Sequence, residues 1–389
     1  MKHYRRMMAE AFLPPDVEDP DIELPAAFTL CAFENGKMAT SYVSLPFTMQ
    51  YNGREQKVAG ISGISTTAEY RRRGYLRKIT EKHFGQLKEE GKRPIAILWA
   101  AHAAIYQRYG YATVSNVNSY NVEPRYLQFP LGQPLNGECR VSGRDEFELL
   151  NKIYYQSIKE KTGYLHRSEI TWKIGPLAPI TKGVLFKILV YEEAGIPLGY
   201  VIYTVGKHPI QEPFQPHMQV QIRDLVWLTP SALQAIWEVF ANQDLVRTVF
   251  WQFVPSDDPL PYLLLEPRML NQRPYDGLMG RIVDVEKGLT GRGYDDEAKL
   301  TFEIVDDFCP WNQGTWCLET AKEGSHIKST TESPDLVMPV STLAMLAFGH
   351  ISATRAAAIG RLDVKNDKSL ADWDRVMKTI VNPHCPDEF

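Results

Sequence analysis

Two Asn-Gly pairs, Asn35-Gly36 and Asn52-Gly53, constrain the fold of this chain more than any other short feature. Asn-Gly favours the two-residue turn of a β-hairpin, because both turn positions need a positive φ that these residues tolerate. Each pair is flanked by residues typical of strands. The pairs therefore predict three antiparallel strands, at about 28–34, 37–51 and 55–67.

A basic turn, Arg71-Arg72-Arg73-Gly74, follows the third predicted strand and precedes a helix. The first amide N–H groups of a helix lack intrahelical acceptors, and that end carries partial positive charge, so it suits an anion such as phosphate. Gly74 lets a pyrophosphate approach without a Cβ in the way. The same residues also fit a solvated basic cluster or a weak nucleic-acid patch, and the turn alone leaves both interpretations open.

A helix, a buried strand and the start of a second helix are predicted after the turn. Apolar residues at helical spacing predict a helix over 75–90, ended by Gly91. The apolar run 94–100 predicts a buried strand, and 101–107 predicts the next helix.

Length and composition limit the class of protein. A chain of 389 residues is too long for one ordinary core, and at about 150 residues per domain it predicts two or three domains. Hydrophobic residues make up 44% and charged residues 23%, as in an ordinary soluble protein. The formal net charge of -4 disfavours wholesale binding to nucleic acid.

Localisation and metal content follow from cysteine usage and from hydropathy. The five cysteines form no CxxC pair, which predicts neither a disulfide framework nor a zinc site and favours the reducing cytoplasm. We expect no secretory signal, because the N-terminus lacks a continuous apolar stretch. No apolar run approaches the roughly 20 residues that cross a bilayer, so no membrane association is expected.

These elements, in this order, resemble the GNAT superfamily of acetyl-CoA-dependent N-acetyltransferases. The pyrophosphate loop of that superfamily has the form Gln/Arg-x-x-Gly-x-Gly/Ala, and here it is Arg71-Arg72-Arg73-Gly74-Tyr75-Leu76, with Leu76 in place of a small residue. The stretches ISGIST, YRRRGYLR and AAIYQRYGY resemble, more specifically, the Eis (enhanced intracellular survival) family. The resemblance covers the whole chain and is strongest between Ile61 and Tyr111.

The resemblance implies an acetyl-CoA site and no metal. It assigns the arm of the cofactor to the end of the third strand, its pyrophosphate to the amides of 72–77, and charge-assisted bonds to the arginines of the turn. Ala101 offers only its backbone there, and His102 is interpreted as a surface or cofactor-edge residue. The complete set is Ile64, Ser65, Thr66, Arg71, Arg72, Arg73, Gly74, Tyr75, Leu76, Arg77, Ala101 and His102.

Catalysis needs a proton donor for the thiolate and a proton acceptor for the amine. Resemblance of IYQRYGY to the family motif makes Tyr106 the general acid, with Tyr109 and Tyr111 as competitors. The family also implies that the α-carboxylate of Phe389 is the base, with Glu388 and Asp387 as rivals. An α-carboxylate has a reference pKa of about 3.5, so it needs burial or a bridging water to accept the proton.

Three domains are expected: 1–128, an N-terminal GNAT domain; 129–280, a second, degenerate GNAT domain; and 281–389, a sterol-carrier-protein-like αβ domain. The fold class is therefore α+β, with tandem GNAT folds of mixed, mostly antiparallel sheets flanked by helices. The second domain has no basic glycine turn, and its predicted elements are a helix at 145–162, strands at 184–190, 198–205, 220–228 and 246–254, and a helix at 231–242. In the third domain they are strands at 280–285, 299–305 and 314–320 and helices at 340–349, 353–362 and 369–380, the last capped by Ser369.

The predicted function is acetyl-CoA-dependent acetylation of a cationic acceptor, either an aminoglycoside-type amine or a protein lysine, as the family implies. An acidic loop at 14–25, after a short helix at 2–12, and the net charge of -4 are consistent with a polycationic acceptor. One rival is a non-catalytic lipid or small-molecule binding protein that uses the C-terminal domain. Another is a nucleic-acid binder that uses the arginine turn. Family resemblance also suggests a hexamer.

Overall fold

The computed structural model describes residues 28–130, 135–211 and 214–389. Contacts divide the chain into two compact units. The first comprises the described residues up to Ser115 together with Leu278–Ile380 and Phe389, and the second comprises Asn116–Gly277 and Val381–Glu388. The helix predicted at 2–12 and the acidic loop predicted at 14–25 lie outside the described residues.

The strands and α-helices are numbered in chain order. The strands are β1 (Phe28–Glu34), β2 (Lys37–Tyr51), β3 (Arg54–Thr66), β4 (Ile95–Leu98), β5 (Ala112–Thr113), β6 (Asn116–Val122), β7 (Glu138–Ser142), β8 (Thr162–Leu165), β9 (Leu185–Glu193), β10 (Ile196–Lys207), β11 (Met218–Trp227), β12 (Val246–Pro255), β13 (Arg273–Asp276), β14 (Met279–Ile282), β15 (Ala298–Val305), β16 (Gly314–Ala321), β17 (Gly324–Ser329), β18 (Leu336–Pro339) and β19 (Asp363–Val364). The helices are α1 (Tyr75–Glu90), α2 (Ala103–Gln107), α3 (Phe147–Ile158), α4 (Glu169–Ile174), α5 (Pro230–Ala241), α6 (Leu260–Leu263), α7 (Val285–Thr290), α8 (Val340–Ala347), α9 (Ala353–Ala358) and α10 (Ser369–Met377).

The first sheet of the first unit has the strand order β1-β2-β3-β4-β14-β5. Its two hairpins confirm the Asn-Gly prediction, since Asn35 and Asn52 both have φ 51° and the following glycines have φ 75° and 82°. The predicted strand at 280–285 is observed as β14, which lies antiparallel between β4 and β5. All four β14 residues are buried, so a segment distant in sequence completes this sheet.

Helix α1 packs on this sheet through its apolar side. Its residues Ile79, Phe84 and Leu87 share one core with Ile61 of β3 and Leu98 of β4. The helix ends where predicted, at Gly91, which has φ 63° and donates its N–H to the Leu87 carbonyl at 2.9 Å. The helix therefore ends at a defined residue and packs on the sheet along its apolar side.

A buried ion pair connects β14 to the segment after β15. The guanidinium of Arg281 is fully buried and forms two 2.8 Å hydrogen bonds to the Asp306 carboxylate. It also donates to the carbonyl of Tyr109 at 2.8 Å. Asp306 accepts further hydrogen bonds from the Cys309 amide and the Asn312 side chain, so both charges of the pair are satisfied.

The second sheet of the first unit has the order β17-β16-β15-β18-β19 and packs against α8 and α10. Phe302 and Trp373 are fully buried, with ring centroids 5.2 Å apart. The buried Arg292 donates to the carbonyls of Ala347, Val376 and Met377. These carbonyls lie at the C-terminal ends of α8 and α10, where a cation is favourable.

The second unit contains one sheet with the order β13-β6-β12-β11-β10-β9-β7. Only β11 and β12 are parallel neighbours among its described strand pairs. Successive residues of β10 point to opposite faces, so Val201 joins the core with α5 and Tyr200 joins the core with α3. Helices therefore cover both faces, as in a mixed α+β sheet.

Several helix predictions extend beyond the observed helices. The helix predicted at 145–162 is observed only at Phe147–Ile158, and Thr162 already belongs to β8. Gly163 has φ 94°, which is incompatible with a right-handed helix at that point. The helices predicted at 340–349 and 353–362 are each shorter, ending at Ala347 and Ala358.

The prediction of Ser369 as the N-cap of the last helix is wrong. Lys368 occupies the N-cap position without a side-chain hydrogen bond, and Ser369 is the first helical residue. The Ser369 hydroxyl instead donates to the Asn366 carbonyl at 2.7 Å, so a turn before the helix uses it. The helix also ends at Met377, and Ile380 is exposed.

Replacing Asp306 by Ala tests the buried pair. The substitution leaves Arg281 as an uncompensated buried cation, so the free energy of unfolding should fall by about 3–5 kcal/mol in urea denaturation. Glu332→Ala is the control, because it breaks an exposed pair with Lys299 and should leave the urea midpoint unchanged. If both substitutions changed the free energy of unfolding by the same small amount, the buried pair would not have the stabilising role assigned to it.

Candidate active site

Strands β3 and β4 separate partway along their length. They are paired in parallel from Val58 and Ile95 only as far as Gly60 and Ile97. Beyond Gly60, β3 continues to pair with β2 up to Thr66. The described strands leave the other edge of β3 unpaired there, so its backbone N–H and C=O groups are available to a ligand with amide groups.

A β-bulge bends the free end of β3. Ser41 and Val43 of β2 pair with Ser65 and Ser62, so β3 has one residue more than β2 in this interval. Gly63 lies in the bulge with φ 57°, and its carbonyl accepts a 2.8 Å hydrogen bond from the Ser41 hydroxyl. Bulges increase local twist and redirect strands, which accounts for the separation of β3 from β4.

The basic turn forms an uncapped helix N-terminus. Arg72 has φ 62° and Gly74 has φ 79°, and Gly74 is the N-cap residue of α1. No side chain caps the helix, and its first turn contains no acidic residue. Helix N-termini normally favour Asp or Glu, so the free amides suit an external anion.

The arginine side chains of the turn differ in what they contact. Arg71 donates to the Thr66 carbonyl at 3.1 Å, which fixes the turn on the end of β3. Arg73 forms hydrogen bonds of 3.1 and 2.9 Å to the Glu34 carboxylate, which also accepts the Tyr75 hydroxyl. Arg72 makes no hydrogen bond or ion pair with other residues in the described ranges. Arg72 is thus the arginine of the turn that is most accessible to a ligand.

Ala101 and His102 lie between β4 and α2, and both are exposed. His102 is the N-cap residue of α2, where its carbonyl accepts the Ile105 amide at 3.1 Å. Its imidazole does not cap the helix. The position agrees with the interpretation of His102 as a surface or edge residue.

Among the three candidate tyrosines, only Tyr106 is half-buried. Tyr109 and Tyr111 are buried in the core, Tyr109 against Phe308 and Tyr111 against Phe84. Tyr106 lies at the edge of that core with Ile64 and Leu76. Burial raises the pKa of Tyr106, and the nearby Tyr109 adds to the shift, so its hydroxyl stays protonated at neutral pH.

Arg281 and Gly110 fix the segment that carries Tyr106, and sequence reasoning missed both roles. The Tyr109 amide donates to the Tyr106 carbonyl at 2.9 Å, and the Tyr109 carbonyl accepts from Arg281. Gly110 has φ 84°, and a Cβ there would lie 2.7 Å from the Arg281 guanidinium. Arg281 lies on β14, far from Gly110 in sequence, so no local motif could reveal this contact.

Phe389, the last residue, lies at the point where β3 and β4 part. Its ring packs against Phe47 of β2, with centroids 4.9 Å apart. A Cβ added to Gly60 would lie 3.0 Å from the Phe389 ring. The aromatic side chain therefore holds the terminal residue beside the last paired residue of β3.

The two rival carboxylates of the tail lie in the second unit and differ from each other. Asp387 is buried and forms a 2.8 Å ion pair with Arg167. Glu388 is exposed at the surface, although partial burial raises the pKa of its carboxyl group. Asp387 is thus committed to a structural contact.

Two further properties concern metals and membranes. Within residues 28–130, 135–211 and 214–389, no group of three or more His, Cys, Asp or Glu side chains is arranged to hold a metal ion. None of the helices in the same ranges is both long and apolar enough to cross a bilayer.

Comparison with protein families identifies three domains along the chain. Profiles of acetyltransferase (GNAT) domains match residues 2–114 and 163–282, and a sterol carrier protein domain matches residues 285–386. The predicted fold class is thereby confirmed: two GNAT folds are followed by a sterol-carrier-protein-like domain.

Proteins of similar sequence include N-acetyltransferases from Streptomyces and Mycobacterium species. The chain is 30% identical over 370 residues to an uncharacterized N-acetyltransferase of Streptomyces griseus, which covers 92% of this chain and 88% of that protein. It is 25% identical over 347 residues to N-acetyltransferase Eis of Mycobacterium tuberculosis. That alignment covers 85% of this chain and 80% of that protein.

Solved structures show the same fold over the whole chain. A GCN5-related N-acetyltransferase from Anabaena variabilis superposes with a TM-score of 0.86 at 21% identity, covering 100% of this chain and 97% of that one. Eis1 from Mycobacterium abscessus superposes with a TM-score of 0.82 at 22% identity and the same coverage.

Proposed function

Because this chain belongs to the GNAT N-acetyltransferases and is homologous to N-acetyltransferase Eis, we propose that it transfers the acetyl group of acetyl-CoA directly to the amine of a cationic acceptor. The observation that carries the proposal is the opening between β3 and β4. An unpaired strand edge, an uncapped helix N-terminus, a half-buried tyrosine and the terminal residue all belong to the unit that contains this opening.

The opening has groups that match the amide-containing arm and the pyrophosphate of acetyl-CoA. The free edge of β3 at Ile64, Ser65 and Thr66 would hydrogen-bond the amide-containing arm, as a neighbouring strand does. The amides after Gly74 would hold the pyrophosphate, with Arg72 adding a charge-assisted bond. Arg71 and Arg73 would act indirectly, because their bonds to Thr66 and Glu34 fix the shape of the turn.

Acetyl-CoA supplies an activated thioester, and the chain supplies two proton transfers. The Tyr106 hydroxyl would donate its proton to the departing sulfur, a role that suits a tyrosine with a raised pKa. The α-carboxylate of Phe389 would accept the proton of the attacking amine, directly or through one water.

The rival residues are less suitable for these roles. Tyr109 and Tyr111 are buried in the core, so they lack access to a thiolate. Asp387 is paired with Arg167, so its charge is already compensated. Glu388 is exposed, and it remains the main competitor of the terminal carboxylate as base.

The contacts of the arginine turn favour an enclosed anion over a nucleic-acid surface. Glu34 and Glu81 pair with Arg73 and Arg77 at 2.9 and 2.8 Å and so reduce the positive field of the turn. A nucleic-acid surface needs several free cations.

The lipid-binding alternative has less support. The interface between sheet and helices in the third domain is filled by buried side chains, among them Phe302, Leu343 and Trp373. That packing is typical of a core.

The activity is tested by measuring thiol release from acetyl-CoA with polyamines, aminoglycosides and lysine peptides as acceptors. Acceptor-dependent release supports the proposal and identifies the acceptor class. A lipid retained on purification, with no thiol release for any acceptor, would favour the carrier alternative.

Replacing Tyr106 by Phe removes the proposed acid and keeps the ring that packs on Tyr111. We expect kcat to fall about 100-fold or more, with the Kd of acetyl-CoA unchanged in calorimetry. Tyr109→Phe is the matched control, and it should retain kcat because its hydroxyl lies in the core. An unchanged kcat in Tyr106→Phe would exclude this residue as the acid.

Adding one glycine after Phe389 tests the proposed base. The extension keeps every side chain but moves the α-carboxylate away from its position, so kcat should fall about 100-fold or more. Glu388→Gln keeps the terminal carboxylate and should retain kcat within about threefold. A fully active extended protein, or an inactive Glu388→Gln variant, would assign the base to another group.

A further inference from the structure

We propose that Phe47 of β2 is a positioning residue for the proposed base, because its ring holds the ring of Phe389 and with it the α-carboxylate of the same residue. The inference rests on the proposed function, in which that carboxylate accepts the proton of the attacking amine. Phe47 and Phe389 both belong to the first unit, which also contains the separated strands β3 and β4. Phe47 lies outside the sequence motifs of the proposed site, so its packing alone identifies the role.

The rings of Phe47 and Phe389 meet edge to face. Their centroids lie 4.9 Å apart, and their planes form an angle of 62°. Aromatic pairs favour such tilted arrangements at about 4.5–7 Å over parallel face-to-face stacking, because the positive edge of one ring meets the negative face of the other. The contact therefore restricts both the distance and the orientation of the Phe389 side chain.

Gly60 of β3 makes room for the Phe47 ring. Strands β2 and β3 pair Leu45 with Gly60 and Phe47 with Val58, so Phe47 and Gly60 are diagonal neighbours across the two strands. A Cβ on Gly60 would overlap the Phe47 ring and would lie 3.0 Å from the Phe389 ring. An aromatic ring that covers a glycine of the neighbouring strand helps to fix the register of the two strands. Gly60 is the last β3 residue paired with β4, so the two rings lie where the opening begins.

The α-carboxylate of Phe389 has no polar contact of its own to fix it. Within residues 28–130, 135–211 and 214–389, no hydrogen bond or ion pair holds this carboxylate. A cationic partner would position a carboxylate, but it would also lower the pKa of that group and weaken it as a proton acceptor. A contact through the ring positions the residue and leaves its carboxylate free for the amine.

The contact between the two rings matters more for catalysis than for folding. Both rings are only half-buried, so they form a small part of the apolar surface that folding removes from water. The end of a chain is poorly ordered unless a contact holds it. A displacement of a catalytic group by about 1 Å can lower the rate about 100-fold, so loss of the contact should act chiefly on kcat.

The experiment is a double-mutant cycle between Phe47→Ala and Phe389→Ala, the second of which removes the ring and keeps the α-carboxylate. We expect each substitution alone to lower kcat about 10- to 100-fold, with the Kd of acetyl-CoA unchanged. In the Phe389→Ala background, Phe47→Ala should lower kcat less than about twofold further, because the ring that it holds is already absent. Losses that multiply in the double variant, or an unchanged kcat in Phe47→Ala, would overturn the inference.

Two further variants separate positioning from folding. Phe33→Ala removes an exposed aromatic ring from β1 of the same sheet and should keep kcat. If Phe47→Ala does not fold, Gly60→Ala takes its place in the cycle, since the added Cβ would displace the Phe47 ring. Full activity of the protein extended by one glycine would refute the proposed base. An inactive extended protein together with multiplied losses in the double variant would refute only the role of Phe47.

Discussion

Beyond Gly60, β3 keeps its hydrogen bonds to β2 and loses those to β4. The proposed site depends on this separation, because an ordinary parallel pair would fill both strand edges and leave no room for a ligand. The bulge at Gly63 bends β3, and the basic turn that follows the free end of β3 leads into the N-terminus of α1. The strand edge and the helix N-terminus thus offer hydrogen-bond donors and acceptors to a ligand.

Segments distant in sequence complete the site. Strand β14 joins the first sheet and brings Arg281 beneath the Tyr109 carbonyl, next to the segment of the proposed acid. Phe389 packs on Phe47 at the start of the opening. The first GNAT segment, residues 2–114, therefore depends on residues more than 150 positions further along the chain, such as Arg281. A fragment limited to that segment would lack these residues.

The sequence predicted the local parts of the fold and few of the long-range ones. The bounds of β1 to β3 and of α1 agree with prediction within about two residues. The signals that predict them act over a few residues: the Asn-Gly turns, the glycine that ends α1 and the helical periodicity. The Ser369 cap was wrong because its hydroxyl had a competing local acceptor, the Asn366 carbonyl. Arg281 was missed because a buried charge takes its meaning from partners that only the fold brings close. The two predicted domain boundaries and the individual site residues stay predictions.

Hydrogen exchange of the backbone amides, measured with and without saturating acetyl-CoA, tests the central claim most directly. The account predicts slower exchange in two places, the free end of β3 after Gly60 and the first turn of α1. Exchange in the edge strand β17 should stay the same and serves as an internal reference. Unchanged exchange at both predicted places in the presence of bound acetyl-CoA would contradict the assignment of the opening as the cofactor site.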